Sequence, residues 1–136
     1  METDYRWSDR LQPEQYRDFH AFYSGEWWTA GRSLDDVVRM LGHCDLLLFA
    51  FDAQNRIAGF ARVLSDFTFK AMIFDVIVAE AHRGNGLGQA IVTRILAHER
   101  LKPVRSFELY CPDRLAPFYE KLGFVKGTSC LLFNQR

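Results

Sequence analysis

The feature that most restricts the fold of this chain is a glycine-rich turn between an apolar strand and a helix. Apolar residues 76–78 lead through a short turn into the sequence RGNGLG at residues 83–88, and apolar residues at helical spacing follow. Glycine at every second position lets the backbone turn sharply, so successive N–H groups can face one concave site. The first amides of the helix have no partner within it, and the helix dipole adds positive potential. The segment therefore predicts an anion site that suits a phosphate or pyrophosphate.

The glycine spacing does not match the common nucleotide-binding patterns. A dinucleotide fingerprint needs G-x-G-x-x-G, but its last position is Gln89 when counted from Gly84 and Ile91 when counted from Gly86. A P-loop would need Gly-Lys-Ser/Thr, which the segment lacks. The simpler alternative is a tight strand-to-helix turn that binds nothing, although three alternating glycines exceed what such a turn needs.

Around this turn, the periodicity predicts one mixed α/β domain over residues 1–136. Hydrophobic residues make up 49% of the chain and aromatic residues 15%, enough for a firm core in a domain of this length. The predicted order of elements is βααβββαβαβ(β). The expected strands cover residues 5–8, 45–51, 57–64, 70–78 and 106–110, with one or two more in 124–133. The expected helices begin at Pro13, Ser33, Leu87 and Ala116.

Charge and cysteine content exclude several functional classes. The chain has 17 basic and 17 acidic side chains, so it lacks the basic excess of a nucleic-acid-binding domain. Three widely spaced cysteines fit neither a disulfide framework nor a zinc site, and the histidines are too scattered for a metal. The polar start predicts no secretory signal, and no segment approaches the ~20 apolar residues of a membrane span. We therefore expect a cytoplasmic protein without metal, nucleic-acid or membrane partners.

Two motifs together resemble the GNAT superfamily of acyl-CoA-dependent N-acyltransferases. Val76-x-Val78 followed by RGNGLG is similar to the family's pyrophosphate-binding motif, and PFYEKLGF at residues 117–124 is similar to its C-terminal F-Y-E-K-x-G-F motif. The order of strands and helices agrees along nearly the whole chain. The resemblance implies a mixed, mostly antiparallel central sheet flanked by helices. It also implies acetyl-CoA as cosubstrate.

The resemblance carries over residue by residue to the matching positions. The cofactor-binding residues that it implies are Val76, Ile77, Val78, Arg83, Gly84, Asn85, Gly86, Leu87, Gly88, Gln89 and Phe118. It implies that the phenol of Tyr119 lies near the cofactor sulfur as the proton donor to the leaving thiolate. It also favours the backbone N–H of Val78, or its neighbour, as the donor to the acyl oxygen.

A base is needed because an alkylamine is mostly protonated at neutral pH. Asp75 is the candidate, acting directly or through water, because aspartate is depleted in strands yet lies in the apolar run MIFDVIV just before the glycine-rich segment. Burial there predicts a raised pKa. The alternative is a hydrogen-bonded structural aspartate.

The acceptor pocket is expected to use Tyr23, Trp27, Trp28 and Arg32. Aromatic walls suit an apolar or cationic amine, whereas Arg32 could pair with a substrate carboxylate. The two tryptophans could instead simply pack over the sheet edge.

The predicted reaction is direct transfer of an acetyl group to the primary amine of a small molecule. A non-catalytic acyl-CoA sensor is one alternative. A covalent route through Cys111 is another, although a buried inert thiol is the simpler interpretation. The apolar stretch at residues 130–133 is compatible with a homodimer.

Overall fold

A five-stranded sheet organises residues 4–136, the part of the chain that this computed structural model describes. The strands follow one another across the sheet in chain order, each antiparallel to the last, except that the final pair is parallel. Their bounds are β1 Arg6–Ser8, β2 Leu46–Phe51, β3 Ile57–Ser65, β4 Lys70–Val78 and β5 Ser106–Leu109. The parallel pair requires a long crossover, which the helix after the glycine-rich segment supplies.

Four helices accompany the sheet, and their ends follow local sequence signals. They are α1 Tyr16–Tyr23, α2 Leu34–Leu41, α3 Leu87–Leu96 and α4 Ala116–Glu120. Ser33 begins α2 by accepting a hydrogen bond from the Asp36 N–H at 3.1 Å, and Gly42 follows its last turn. A 3₁₀ turn at Pro13–Gln15 leads into α1. None of the helices within residues 4–136 is long and apolar enough to cross a membrane.

Each face of the sheet carries its own apolar core, because alternate strand residues point to opposite sides. On one face α1 and α2 cover a cluster rich in phenylalanine, whose buried members are Phe19, Tyr23, Val37, Leu41, Phe49, Phe51, Phe60 and Ile77. On the other face α3 packs Leu87, Ile91 and Ile95 against smaller strand residues. Burying a phenylalanine side chain contributes about 1.5–3 kcal/mol. The aromatic cluster therefore fixes α1, and with it the loop that follows.

The predicted architecture is confirmed up to α4, but the strands expected in residues 124–133 are wrong. Within the described residues the sheet ends at β5, and no strand follows α4. Val125, Leu132 and Phe133 are each more than two-thirds exposed. A strand requires a partner for its backbone ladder, and apolar content alone does not supply one.

Gly59 in β3 allows α3 to lie close to the sheet. A Cβ at this position would approach Ile91 Cδ1 to 2.8 Å and Leu87 Cδ2 to 3.2 Å. Both neighbours are buried in the core below α3. The helix that follows the glycine-rich segment is therefore positioned by this contact.

We expect Gly59→Val to lower the free energy of unfolding by about 1–3 kcal/mol, because the added side chain overpacks the interface with α3. Urea denaturation followed by circular dichroism would measure the change. Gly127→Val is the matched control, since a Cβ there meets nothing within 4 Å. Equal losses in the two variants would contradict this account of the packing.

Candidate active site

The glycine-rich segment forms the predicted concave turn between β4 and α3. Gly84 and Gly86 adopt φ values of 79° and 80°, a left-handed conformation that favours glycine. Gly86 immediately precedes α3, whose first amides point out of the helix end. A Cβ at Gly84 or Gly86 would meet no atom within 4 Å, so the space beside both residues is open. The turn therefore fits a phosphate group held by backbone N–H groups.

His82 holds in place the short segment that connects β4 to this turn. Its Nδ1 lies 2.8 Å from the Tyr5 hydroxyl, and its Nε2 lies 3.4 Å from a carboxylate oxygen of Asp52. Backbone amides also donate to Asp52, and these bonds hold the pKa of its carboxyl below the usual range. The turn is thereby joined to the segment before β1 and to the residue after β2.

Arg83 links the same turn to the loop after α1. Its Nε donates to the Val78 carbonyl at 3.0 Å, and its Nη2 pairs with Glu26 at 2.9 Å. A cavity of about 230 Å³ lies here, lined by Phe22, Gly25, Glu26, Ile77, Val78, Ala79, Glu80 and Arg83. A larger cleft of about 540 Å³ lies between α1 and α2 and shares none of these residues. The smaller cavity adjoins the glycine-rich turn, whereas the larger cleft does not.

The second half of β4 has a free edge. Pairing with β5 ends at Ile73 and Leu109, while β4 continues to Val78 beside β3 alone. The Ala79 N–H donates to the Ala58 carbonyl at 2.8 Å, so Val78 falls in the alternate, non-hydrogen-bonded register opposite Gly59. The N–H and carbonyl of Val78 therefore face away from β3. An extended ligand could pair with this edge as an added strand does.

A β-bulge at Asp75 interrupts β4 just before that free edge. Arg62 pairs with Phe74 and Phe60 with Ile77, so two β4 residues face the single residue Ala61. Asp75 takes a positive φ of 56°, which aspartate tolerates better than most residues. A strained residue of this kind persists only where its surroundings hold it.

Three side chains donate to the Asp75 carboxylate and a fourth, Arg32, donates to one of the three; we call these five residues the Asp75 network. Oδ2 accepts from Arg62 Nε at 2.6 Å and from the Tyr23 hydroxyl at 2.7 Å, and Oδ1 accepts from Trp28 Nε1 at 3.1 Å. Arg32 Nη1 donates in turn to the Tyr23 oxygen at 2.6 Å. The Asp75 side chain is only 6% exposed. Three predicted acceptor-pocket residues, Tyr23, Trp28 and Arg32, are thus brought together.

The network corrects the expected ionisation of Asp75. Burial raises the pKa of this carboxyl, but the bonds from Arg62, Tyr23 and Trp28 outweigh burial and hold it below its ordinary value. The predicted raised pKa is therefore wrong, and the carboxylate stays charged at neutral pH. The same burial and the Asp75 bond raise the pKa of Tyr23 to about 12, so its phenol stays neutral.

Arg62 is the network member that sequence reasoning missed. It lies in the apolar β3 run IAGFARVLS, as Asp75 lies in the apolar run of β4. Its side chain is 15% exposed, and the Asp75 bond raises its pKa against the effect of burial. The sequence could have predicted this pair, because it places one basic and one acidic residue in two neighbouring apolar strands, and each charge needs a partner when buried.

The loop between α1 and α2 crosses the edge of β4 and is pinned at two points. Glu26 pairs with Arg83, and Trp28 donates to Asp75. The buried Thr29 hydroxyl donates to the Tyr23 carbonyl and ties the loop to the end of α1. Trp27 is 75% exposed and contacts Trp28 edge to face. Trp27 therefore lies outside the Asp75 network.

The predicted acid, Tyr119, lies on α4 beside the glycine-rich segment. Its neighbour Phe118 adjoins Gly88, where a Cβ would lie 3.5 Å from Phe118 Cζ and 3.7 Å from Val78 Cγ2. The Tyr119 ring meets Phe118 and Phe124 edge to face. Burial raises the pKa of Tyr119 to about 12, so the phenol keeps its proton at neutral pH.

The Cys111 thiol is poorly activated as a nucleophile. Burial, followed by the Asp113 charge, raises the pKa of the Cys111 thiol, which lowers the fraction of reactive thiolate. No cluster of metal-binding side chains occurs among residues 4–136.

We expect Asp75→Asn to lower the free energy of unfolding by about 3–5 kcal/mol at neutral pH, because it leaves the Arg62 charge buried without its partner. Asparagine also tolerates a positive φ, so the backbone is kept. The folded-state pKa of Asp75 lies below its ordinary value of 3.8, so its contribution is present above that value. It is lost as the pH falls through the lower, folded-state pKa.

Urea denaturation between pH 7 and pH 3 would measure both effects, and the variant should lose less stability on acidification than the wild type. The control is Asp9→Asn, whose exposed ion pair with Arg10 should matter by less than about 1 kcal/mol. An Asp75→Asn protein as stable as the wild type at pH 7 would disprove the anchoring role.

Comparison with known proteins agrees with this geometry. The family model of the acetyltransferase (GNAT) domain matches residues 44–126. A serotonin N-acetyltransferase 2 of Oryza sativa subsp. japonica is 36% identical over 97 residues, which cover 69% of this chain and 48% of that protein. An uncharacterized N-acetyltransferase ycf52 of Porphyra purpurea is 32% identical over 98 residues, which cover 70% of this chain and 56% of that protein. The chain thus spans about half the length of these relatives.

Solved structures share the fold along nearly the whole chain. A candidate acetyltransferase from Deinococcus radiodurans R1 has a TM-score of 0.82 at 25% identity, covering 98% of this chain and 90% of its own. The spermidine N-acetyltransferase of Vibrio cholerae, solved with CoA and spermine, has a TM-score of 0.74 at 17% identity. The match covers 92% of this chain and 83% of that protein. With both predicted motifs at one end of β4 and a family model over most of the sheet, this chain belongs to the GNAT superfamily of acetyltransferases.

Proposed function

We propose that this protein transfers the acetyl group of acetyl-CoA to the primary amine of a small molecule by direct attack. The observation that carries the proposal is the glycine-rich turn opening beside the free edge of β4. The turn offers backbone N–H groups to a phosphate, and the edge offers backbone groups to an extended chain. Few ligands combine a pyrophosphate with a long amide-containing arm, and acyl-CoA is one of them.

The residues present fit this cosubstrate. The pyrophosphate would lie on the amides of residues 84–89, with Arg83 at the rim. The amide-bearing arm would run along residues 76–78, where the Val78 N–H faces outward and the Val78 carbonyl already accepts from Arg83 Nε. When bound there, acetyl-CoA supplies a thioester whose acyl carbon an amine can attack. A phosphate at the turn would compete with Glu26 for the Arg83 guanidinium.

The Val78 N–H is suited to stabilise the oxygen that gains charge during transfer. It faces the free edge of β4 rather than β3, and it is held there by the sheet register. A fixed backbone donor needs no reorganisation when the charge develops, and loss of one such donor typically slows catalysis by about 10²–10³-fold. The location of this donor supports transfer near the bulge at Asp75.

Asp75 is better suited to positioning than to taking a proton. A general base works best with a pKa near the working pH, whereas the pKa of Asp75 is lowered and three donors occupy its oxygens. An amine of pKa ~10 is only about 0.1% neutral at pH 7, a cost of about 4 kcal/mol. We therefore propose that the amine loses its proton to the solvent before it binds, and we assign Asp75 to holding Tyr23, Trp28 and Arg62 in place.

Calorimetric titration with acetyl-CoA, CoA and NAD tests the proposal at its first step. We expect micromolar binding of both CoA species and no response to NAD. Gly86→Val should abolish CoA binding, because a side chain would fill the open space at the turn and strain its positive φ. The control is Gly31→Val, which alters a glycine of similar φ in open space outside the turn.

Failure of the folded wild type to bind either CoA species would refute the proposed function. Binding of acetyl-CoA without turnover of any primary amine would instead favour the non-catalytic sensor.

We expect Tyr119→Phe to lower kcat by about 10²–10⁴-fold with little change in CoA affinity, because the phenol is assigned to protonate the departing thiolate. Single-turnover acetyl transfer would measure the effect with any amine that proves to be a substrate. Tyr110→Phe, which alters a 62% exposed phenol, is the matched control. An unchanged kcat in Tyr119→Phe would rule out this role.

A further inference from the structure

The charges of the Asp75 network do not balance, and the excess lies on Arg32. The network holds two guanidinium groups, Arg32 and Arg62, but only one carboxylate. Arg62 takes the direct ion pair with Asp75 at 2.6 Å. The Arg32 guanidinium donates only to the phenol of Tyr23. The raised pKa of Tyr23 keeps this phenol neutral, so it supplies no negative charge. Arg32 thus brings a net positive charge to this pocket.

No other carboxylate of the described chain neutralises that charge by direct contact. Within residues 4–136 Arg32 forms no ion pair, whereas the nearby loop carboxylate of Glu26 is already paired with Arg83. Arg32 itself is exposed to solvent. Its remaining N–H groups are therefore available to a ligand that approaches between α1 and the edge of β4.

Arg32 also differs from an ordinary solvated arginine because two bonds hold it. Its carbonyl accepts from His20 Nε2 at 2.7 Å, and its Nη1 donates to Tyr23. Tyr23 is fully buried and bonded to Asp75, so Tyr23 connects Arg32 to the core. A guanidinium held in advance loses less entropy when it binds, and its remaining donors suit a carboxylate or phosphate.

The electrostatics of this pocket disfavour an acceptor that carries a second positive charge. Its ammonium group would meet a positive guanidinium, and the buried carboxylate of Asp75 already accepts three hydrogen bonds. We infer that the acceptor is a primary amine that also carries an anionic group, and that Arg32 binds this group and so determines specificity. This inference rests on the proposed function and names its substrate class.

Matched amines of one length would test the inference. The substrates are 5-aminopentanoate, its uncharged amide 5-aminopentanamide, the diamine 1,5-diaminopentane and 4-aminobutylphosphonate, each assayed for release of CoA. We expect kcat/KM for the carboxylate or the phosphonate to exceed that for the amide by about 10- to 100-fold, through KM. The diamine should be the poorest substrate. The ratio of carboxylate to phosphonate tells which anion the pocket prefers.

Three variants test whether Arg32 causes the preference for anionic substrates. Arg32→Gln should remove most of the preference by lowering kcat/KM for the carboxylate and the phosphonate far more than for the uncharged amide, and Arg32→Lys should restore part of it. Arg39→Gln, which removes an exposed positive charge on α2, is the matched control and should keep the preference. Equal or better use of the diamine, or a preference that survives in Arg32→Gln, would overturn the inference while the proposed function stands. Absence of acetyl transfer to every amine would refute the proposed function itself.

Discussion

The buried ion pair between Arg62 and Asp75 is the contact on which the arrangement of the site depends. It joins β3 to β4 at the bulge, where Asp75 departs from strand geometry and adopts a positive φ. Both charges are largely removed from water, so each requires the other, and neither could be replaced alone without a large loss of stability. Hydrogen bonds from α1 and the following loop complete the coordination of Asp75. One carboxylate thereby connects two strands, a helix and a loop.

The bulge also separates two parts of β4 with different surroundings. It lies two residues beyond the last pair between β4 and β5, at the start of the free edge that leads to the glycine-rich turn. Residues on one side of Asp75 are paired with β5, and residues on the other side have a free edge. The loop after α1 reaches both regions, through Trp28 at the bulge and Glu26 at Arg83. The Asp75 network and the glycine-rich turn are therefore parts of one assembly.

We assign family membership and the proposed acceptor specificity to different parts of this assembly. β4 and the glycine-rich turn lie within residues 44–126, the stretch that the GNAT family model matches. Tyr23, Trp28 and Arg32 precede that stretch and lie on α1 and its loop. Cofactor recognition through backbone groups tolerates wide sequence change, whereas acceptor recognition depends on individual side chains.

The sequence by itself determined the local features of this protein. Helix caps such as Ser33, strand periodicity and the glycines with positive φ act over a few residues, so their pattern predicted the elements, the turn and the family motifs. Interactions between distant residues were decided only by the tertiary structure. Asp75 was recognised as unusual, but its low pKa depends on Arg62, Tyr23 and Trp28, which the fold brings from three other segments. The expected last strands failed for the same reason, because a strand exists only where another backbone pairs with it.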